Sequence, residues 1–222
     1  MKKYIQFTAF TALALVSCLS GAHADVHVWQ DLHSKMTVSY NDTWQRVSNQ
    51  NPDDVLTVRA PDRALGVYDY AECKINVADE GRFKIYPVRY SGNIQRLYIS
   101  EDFWDRYLGQ YDNVVIHKGT DNNGLGDGFA SMASVSYETV KGAKMAKRAI
   151  GFASHYNNRI YTVECSAEES AYHEWHGAFL SFIKSIDFHD RTNFAISGYY
   201  RDFLGDKELK VRGPSVFEDS YH

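Results

Sequence analysis

Residues 159–186 read RIYTVECSAEESAYHEWHGAFLSFIKSI and change from one periodicity to another within a single run. Tyr161, Val163 and Cys165 stand at every second position, which is typical of a strand with one buried face. Farther on, apolar side chains recur at helical spacing, and these are Tyr172, Trp175, Phe179, Phe182, Ile183 and Ile186. The stretch therefore predicts a strand followed by a helix whose apolar side packs on a sheet.

The boundaries of two helices can be predicted from capping residues. The closing helix is expected from about Ala167 to Ile186, because Ser166 and Glu169 fit a capping box. A shorter helix is expected over 101–108, with Ser100 as its N-cap and acidic residues in its first turn.

Period-two alternation also marks the chain before residue 159. The runs are Met36–Tyr40, Leu56–Val58, Cys73–Val77, Phe83–Ile85, Val114–Ile116, Phe129–Tyr137 and Met145–Tyr156. Asn157 and Asn158 tolerate positive φ and predict a two-residue hairpin turn. Strands, a helix, more strands and a closing helix indicate an α+β fold, with a mainly antiparallel sheet flanked by helices.

The first 24 residues have the pattern of a secretory signal peptide. Lys2 and Lys3 precede a mostly apolar segment that ends at Ala22-His23-Ala24. The apolar segment is shorter than the ~20 residues that a membrane span requires, although a retained anchor is an alternative. We therefore expect cleavage after Ala24 and a periplasmic or secreted protein.

A second interpretation of this segment stays open. Leu15-Val16-Ser17-Cys18 resembles a bacterial lipobox. In that case Cys18 would be lipidated and would anchor the domain to a membrane of the envelope. The two interpretations differ in tethering and not in fold.

Composition limits the classes of partner. Apolar residues make up 44% of the chain, which is enough for a core in one domain over residues 25–190. The formal charge is −4 and becomes −6 when Lys2 and Lys3 are removed. Such a chain lacks the positive field of a nucleic-acid binder, so we expect no nucleic-acid partner.

No later apolar run predicts a transmembrane segment, and residues 191–222 are expected to form a tail with a short docking helix and a mobile end.

The mature chain would keep two cysteines, Cys73 and Cys165. Two cysteines in an exported protein are typical of one disulfide, and both residues lie on the apolar side of their strands. Two buried free thiols are the alternative.

Two sequence features could bind a metal ion. His173 and His176 lie three residues apart on the closing helix, on the flank of its apolar side, and neighbouring imidazoles can share zinc or copper. Two ligands do not complete a site, so a partly exposed polar flank is the alternative. Residues 121–128 are rich in oxygen donors, but they lack the EF-hand pattern and also fit a hairpin loop.

Catalytic motifs are not found in the sequence. It has no G-x-S-x-G elbow, and the glycines at 124, 126 and 128 do not form a phosphate-binding fingerprint. We therefore expect a protein without enzymatic activity and without a cofactor. Tyr86, Tyr90, Tyr98, Tyr107 and Tyr111 cluster around the first helix and suit either a binding surface or half-buried sheet positions.

The sequence resembles the PsbP/DcrB-like family over residues 29–188. The similarity rests on Trp29-x-Asp31, Met36-x-Val38-x-Tyr40, Asp42-Thr43-Trp44 and, near the end, 159–165 and 182–188. The resemblance implies an α/β/α sandwich around an antiparallel sheet. It also implies mostly non-enzymatic members, such as photosystem accessory subunits, small envelope proteins and binding adaptors, one of them a eukaryotic Ran-binding protein. It carries over no residue role.

Together these observations predict an exported, non-enzymatic accessory or binding protein that engages another component of the cell envelope. A periplasmic protein that binds a metal or a small ligand is the first alternative. A hydrolase with an unrecognised site is the second.

Overall fold

The computed structural model describes residues 25–189, except 50, 64–67, 87–89, 127 and 141. The strands of this part are β1 Val26–Asp31, β2 Met36–Asn41, β3 Gln45–Arg46, β4 Asp54–Arg59, β5 Glu72–Asp79, β6 Asp112–Leu125, β7 Gly128–Glu138, β8 Ala146–Tyr156, β9 Arg159–Glu168 and β10 Asp187–Phe188. Its helices are α1 Ser91–Tyr98, α2 Glu101–Leu108 and α3 Tyr172–Lys184. The predicted signal peptide, Cys18 and the tail 191–222 lie outside the described residues.

The strands form two sheets. The larger has the order β3-β4-β5-β9-β8-β7-β6, and the smaller has the order β1-β2-β10. All strand pairs within the described residues are antiparallel, which confirms the predicted α+β class with a mainly antiparallel sheet. Asn157 and Asn158, both at positive φ, make the tight turn between β8 and β9, as predicted.

The larger sheet is covered on both faces. Ile150 and Phe152 of β8 belong to a core that includes α3 and β2. Ala149 and Ala153 point the other way, into a second core beneath Trp104 and other residues of α2. The domain is therefore layered, with α3 and the small sheet on one face and α1 and α2 on the other.

Helix α3 is shorter than the sequence predicted. It begins at Tyr172, after the N-cap Ala171, and not at Ala167. Ser166 is buried within β9, so the predicted capping box with Glu169 is wrong. The reason is that β9 stays paired with β8 as far as Glu168, and these ladder hydrogen bonds keep residues 166–168 extended.

The segment before α2 differs most from the prediction. Phe83 and Ile85 lie in turns, with Lys84 N–H donating to the carbonyl oxygen of Gly81 at 3.2 Å. Helix α1 follows and was not predicted. Its buried Gln95 donates to the carbonyl oxygen of Ala153 at 3.1 Å and accepts from the N–H of His155 at 2.6 Å. These hydrogen bonds therefore hold α1 against β8.

Cys73 and Cys165 form a disulfide, as predicted. They are direct cross-strand partners on β5 and β9, and both side chains are fully buried in the core beneath α3. The bond links strands whose cysteines are 92 positions apart in the chain.

Replacement of Cys73 by Ser should lower the melting temperature markedly. The link removes loop-closure entropy from the unfolded chain, which stabilises the fold by roughly 4–5 kcal/mol for a loop of this length. Differential scanning calorimetry of the variant and the parent checks this. An unchanged melting temperature, with two titratable thiols in the native parent protein, would refute it.

Two glycine substitutions should have opposite effects. A Cβ atom at Gly151 would lie 2.9 Å from the indole ring of Trp104, which is buried and hydrogen-bonded to Ser131. Gly151→Ala should therefore destabilise the protein by about 1–3 kcal/mol. A Cβ at Gly177, inside α3, meets open space, so Gly177→Ala should stabilise by about 1 kcal/mol. Urea denaturation measures both, and equal effects at the two positions would contradict the packing of α2 on β8.

Candidate functional site

A groove of 510 Å³ opens between α3 and the end of β2. We call it the aromatic groove, because its floor and walls carry four large aromatic residues, Tyr40, Trp44, Trp175 and Phe182. Among the described residues the lining is Val26, Ser39, Tyr40, Asn41, Thr43, Trp44, Pro61, Trp175, Ala178, Ser181, Phe182 and Ser185. Each of these side chains is uncharged at neutral pH.

A turn after β2 places Trp44 in the floor. Asn41 Oδ1 accepts from the N–H of Thr43 at 2.9 Å, and the carbonyl oxygen of Asn41 accepts from the N–H of Trp44 at 3.0 Å. The indole ring of Trp44 then stacks on the ring of Phe182, with centroids 6.4 Å apart. The edge of Trp175 meets the same indole at 6.0 Å. The floor is therefore a set of interlocked rings from two separate elements.

Trp175 is fixed from the opposite side by a buried carboxylate. Its Nε1–H donates to Asp69 Oδ2 at 2.9 Å, and Arg63 forms a two-point ion pair with the same Asp69. The hydrogen bonds from Arg63 lower the pKa of Asp69, burial opposes them, and the bond from Trp175 lowers the pKa further. Arg63 also pairs with Glu174 on α3. The segment between β4 and β5 thus holds the helix and its tryptophan.

A serine joins the two walls of the groove. The Ser185 hydroxyl accepts from the N–H of Ser39 at 2.9 Å and lies 2.8 Å from the carbonyl oxygen of Ser39. Burial raises the pKa of Tyr40, which keeps its hydroxyl protonated. The groove thus offers apolar faces with a few hydroxyl and amide groups, and such a lining suits binding of an uncharged apolar group.

The two predicted metal ligands do not meet further ligands. The ring of His173 is exposed, with its Nε2 atom 3.8 Å from Glu174. His176 Nδ1 lies 3.1 Å from the hydroxyl of Tyr172, and burial together with nearby Arg148 lowers the pKa of His176. Among the described residues there is no group of three or more His, Cys, Asp or Glu residues that could hold a metal ion. The His173 and His176 site stays a prediction.

The oxygen-rich segment 121–128 is mostly strand. β6 continues to Leu125, which pairs with Gly128 across the turn. Asp121 is buried, and its Oδ1 accepts from the hydroxyl of Ser131 at 2.8 Å. The hairpin interpretation is confirmed, but the hairpin is tighter than the sequence suggested.

The five clustered tyrosines divide into two groups. Tyr86 and Tyr90 are exposed, and Tyr98 is half-buried. Tyr107 and Tyr111 instead point at the sheet, where they join Glu164 of β9. Tyr107 and Tyr111 are therefore half-buried against the sheet, while a binding surface at Tyr86 and Tyr90 stays a prediction.

Glu164 is the centre of a buried polar cluster between α2 and the larger sheet. It accepts hydrogen bonds from the hydroxyls of Tyr107 at 2.9 Å, Tyr137 at 2.6 Å and Tyr111 at 3.1 Å. Lys74 Nζ lies 3.1 Å from Glu164 Oε2 and also donates to the hydroxyl of Tyr111. Burial alone would raise the pKa of Glu164, but Lys74 and the tyrosine hydroxyls outweigh it and lower the pKa. The carboxylate is therefore charged and fully satisfied, which fits a structural role.

Glu164→Gln should destabilise the protein by about 3 kcal/mol at neutral pH, because it leaves Lys74 buried without its counter-charge. The folded pKa of Glu164 is depressed, so its contribution is present above 4.5, the ordinary value, and is lost as pH falls below it. The difference in unfolding free energy between parent and variant should therefore shrink in acid. Urea titrations across this range test it, with exposed Asp105→Asn as the control. A difference that stays constant with pH would contradict the charged cluster.

Sequence reasoning missed the aromatic groove as a site. Trp44 and Trp175 both stood in recognised patterns, one in the turn after β2 and one on the apolar side of α3. Neither pattern shows that the two rings meet, because 131 positions separate them and the contact depends on how the small sheet packs. The available signal was Trp175, a large aromatic residue on the apolar side of α3.

The fold and the groove define a layered, antiparallel α+β domain with an aromatic cleft. Cyanobacterial PsbP (CyanoP) from Synechocystis sp. PCC 6803 is similar in structure, with 12% identity, a TM-score of 0.47, and coverage of 78% of this chain and 98% of that one. The Saccharomyces cerevisiae Ran-binding protein Mog1p is similar at 7% identity and a TM-score of 0.47, covering 78% and 100%.

A third similar structure is PA94 from Pseudomonas aeruginosa, a protein of unknown function described as a putative regulator. It has 11% identity and a TM-score of 0.40, with coverage of 69% of this chain and 90% of that one. No protein-family model and no curated protein sequence matches the chain. We carry no residue role and no activity over from any of these proteins.

Proposed function

We propose that this chain is an exported, non-enzymatic binding protein, and that its aromatic groove receives an uncharged apolar or aromatic side chain of another envelope protein. The observation that carries the proposal is the groove itself, a 510 Å³ cleft lined by two tryptophans, a tyrosine and a phenylalanine. Binding hot spots are typically aromatic pockets from which water is excluded.

The chemistry of the lining supports binding over catalysis. The groove has the hydroxyls of Ser39, Thr43, Ser181 and Ser185. In the part of the chain that the structure describes, no histidine, carboxylate, lysine or cysteine lines the groove to activate one of them. The same hydroxyls can position a peptide backbone or a neutral polar group next to the apolar contact. The aromatic rings are held by α3, β2 and Asp69, so the groove is organised before a ligand arrives, which lowers the entropic cost of binding.

Export and envelope location are part of the proposal. The signal-peptide pattern supports export, and the Cys73–Cys165 disulfide fits an oxidising compartment. Among the described residues, no helix is both long and apolar enough to cross a bilayer. We also propose membership of the PsbP/DcrB-like family. The support is the quoted motifs together with the antiparallel α+β fold.

Filling the groove should abolish partner capture. We would place a photo-cross-linking amino acid at Thr43, on the exposed rim, and irradiate cells that export the protein. A discrete cross-linked protein should appear in the parent. It should disappear with Ser181→Leu, because the larger side chain projects into the groove from the opposite wall.

The matched control is Ser170→Leu, which makes the same substitution at an exposed position between β9 and α3, outside the groove. Cross-linking should be unchanged in this variant, and both variants should melt like the parent. The proposal fails if Ser181→Leu captures the same protein in the same yield. If no protein is captured but native mass spectrometry finds a bound small molecule that Ser181→Leu loses, the groove belongs to a small-ligand protein instead.

A further inference from the structure

The loop 81–86 and helix α1 expose the two most accessible large apolar side chains among the described residues. Ile85 is 83% exposed and Leu97 is 84% exposed. Tyr86 and Tyr90 beside them in the chain are also exposed, at 52% and 40%. Contact between water and apolar side chains is unfavourable, so several exposed apolar side chains close together mark an interaction surface.

A contact between two rings joins the loop to α1. The ring of Phe83 packs against the ring of Tyr98 at 5.2 Å, and this contact holds the loop against the end of α1. Tyr90 and Leu97 are seven residues apart, which places them on the same side of a helix. That side faces solvent, because Gln95 and Ile99 form the buried side of this segment.

The segment 81–97 is opposite in charge to the whole chain. The formal net charge is −4, yet residues 81–97 contain no aspartate or glutamate. Lys84 and Arg96 are exposed, and neither forms an ion pair with another described residue. Arg82 is paired with Glu80 and packs 4.6 Å from the ring of Tyr98, so it supports the loop. Lys84 is therefore next to Ile85 in the chain, and Arg96 is next to Leu97. The charge of Arg96 also acts on Asp121, whose pKa it lowers against the effect of burial. Asp102 and Arg106 line the same hollow as Leu97, so one acidic and one basic side chain lie there as well.

We infer that Lys84, Ile85, Tyr86, Tyr90, Arg96 and Leu97 form a surface that docks on an anionic lipid bilayer. Exposed apolar side chains flanked by tyrosine and by cations are the pattern of a protein that lies on a membrane, because the apolar side chains enter the acyl boundary while the cations meet the head groups. Ile85 and Leu97 project almost completely into solvent, and a deformable apolar layer can receive such side chains without a matching pocket. An acidic protein face is the competing partner.

This surface is independent of the aromatic groove. α1 packs through Gln95 on the face of β8 that carries Ala153, whereas the groove lies beside α3 on the opposite face of the larger sheet. A chain docked on a bilayer through α1 would therefore keep the groove open to a partner. The inference stands whether or not Cys18 is lipidated.

Vesicle co-sedimentation of the chain from Asp25 to His222, made without any lipid, tests the inference. It should bind vesicles that contain phosphatidylglycerol, bind poorly to vesicles of phosphatidylcholine alone, and dissociate as salt is raised. Leu97→Ser should weaken binding about tenfold, and each of Lys84→Gln and Arg96→Gln about fivefold.

Leu32→Ser is the matched control, because Leu32 is 78% exposed but lies in the turn between β1 and β2. This variant should bind like the parent, and all variants should melt at the same temperature because the altered side chains are exposed. Equal binding to both kinds of vesicle, or equal binding by Leu97→Ser and Leu32→Ser, would overturn the inference. Absence of any binding to anionic vesicles would also overturn it and would leave an acidic protein as the partner of this surface.

Discussion

Burial of strand β9 on both faces is the constraint on which the rest of the structure depends. Eight consecutive residues of this strand, Ile160–Ala167, are buried. Val163 and Cys165 face α3, and Glu164 faces the opposite way, toward α2. β5 and β8 pair with β9 along almost its whole length, so its backbone is satisfied on both edges. One strand thus anchors both layers that cover the larger sheet.

Apolar contacts stabilise one face of β9, and polar contacts stabilise the other. Beneath α3 the contacts are apolar, and the disulfide joins β9 to β5 within that core. Beneath α2, Lys74, Glu164 and three tyrosine hydroxyls pair with one another. Burying these charges is costly, but their hydrogen bonds require well-defined positions of the partners. This second arrangement fixes where α2 sits, while the first fixes α3 and, through α3, the aromatic groove. The proposed binding site is therefore carried mainly by α3 and β2, and the turn after β2 adds Trp44 to its floor.

Much of the fold could be predicted from the sequence, because the periodicity around β9 and α3 is strong. The alternation of Tyr161, Val163 and Cys165 located the strand and the side of its cysteine, and the aromatic stripe located the helix. The same alternation was misleading for the other face, since Thr162, Glu164 and Ser166 resemble solvent-facing residues. All three are buried. Glu164 is covered by tyrosines from α2 and β7, and no local pattern encodes that cover.

The groove and α1 could not be predicted for a related reason. Trp44 meets Trp175 only after the small sheet packs beside α3, and α1 is held on the larger sheet by hydrogen bonds between Gln95 and the β8 backbone. Native-state hydrogen exchange, read amide by amide, tests the central role of β9 most directly. Amides of Ile160–Ala167 should be the slowest in the molecule, opening only with global unfolding, while those of the edge strand β1 exchange much faster. Exchange of β9 at the rate of β1 would contradict it.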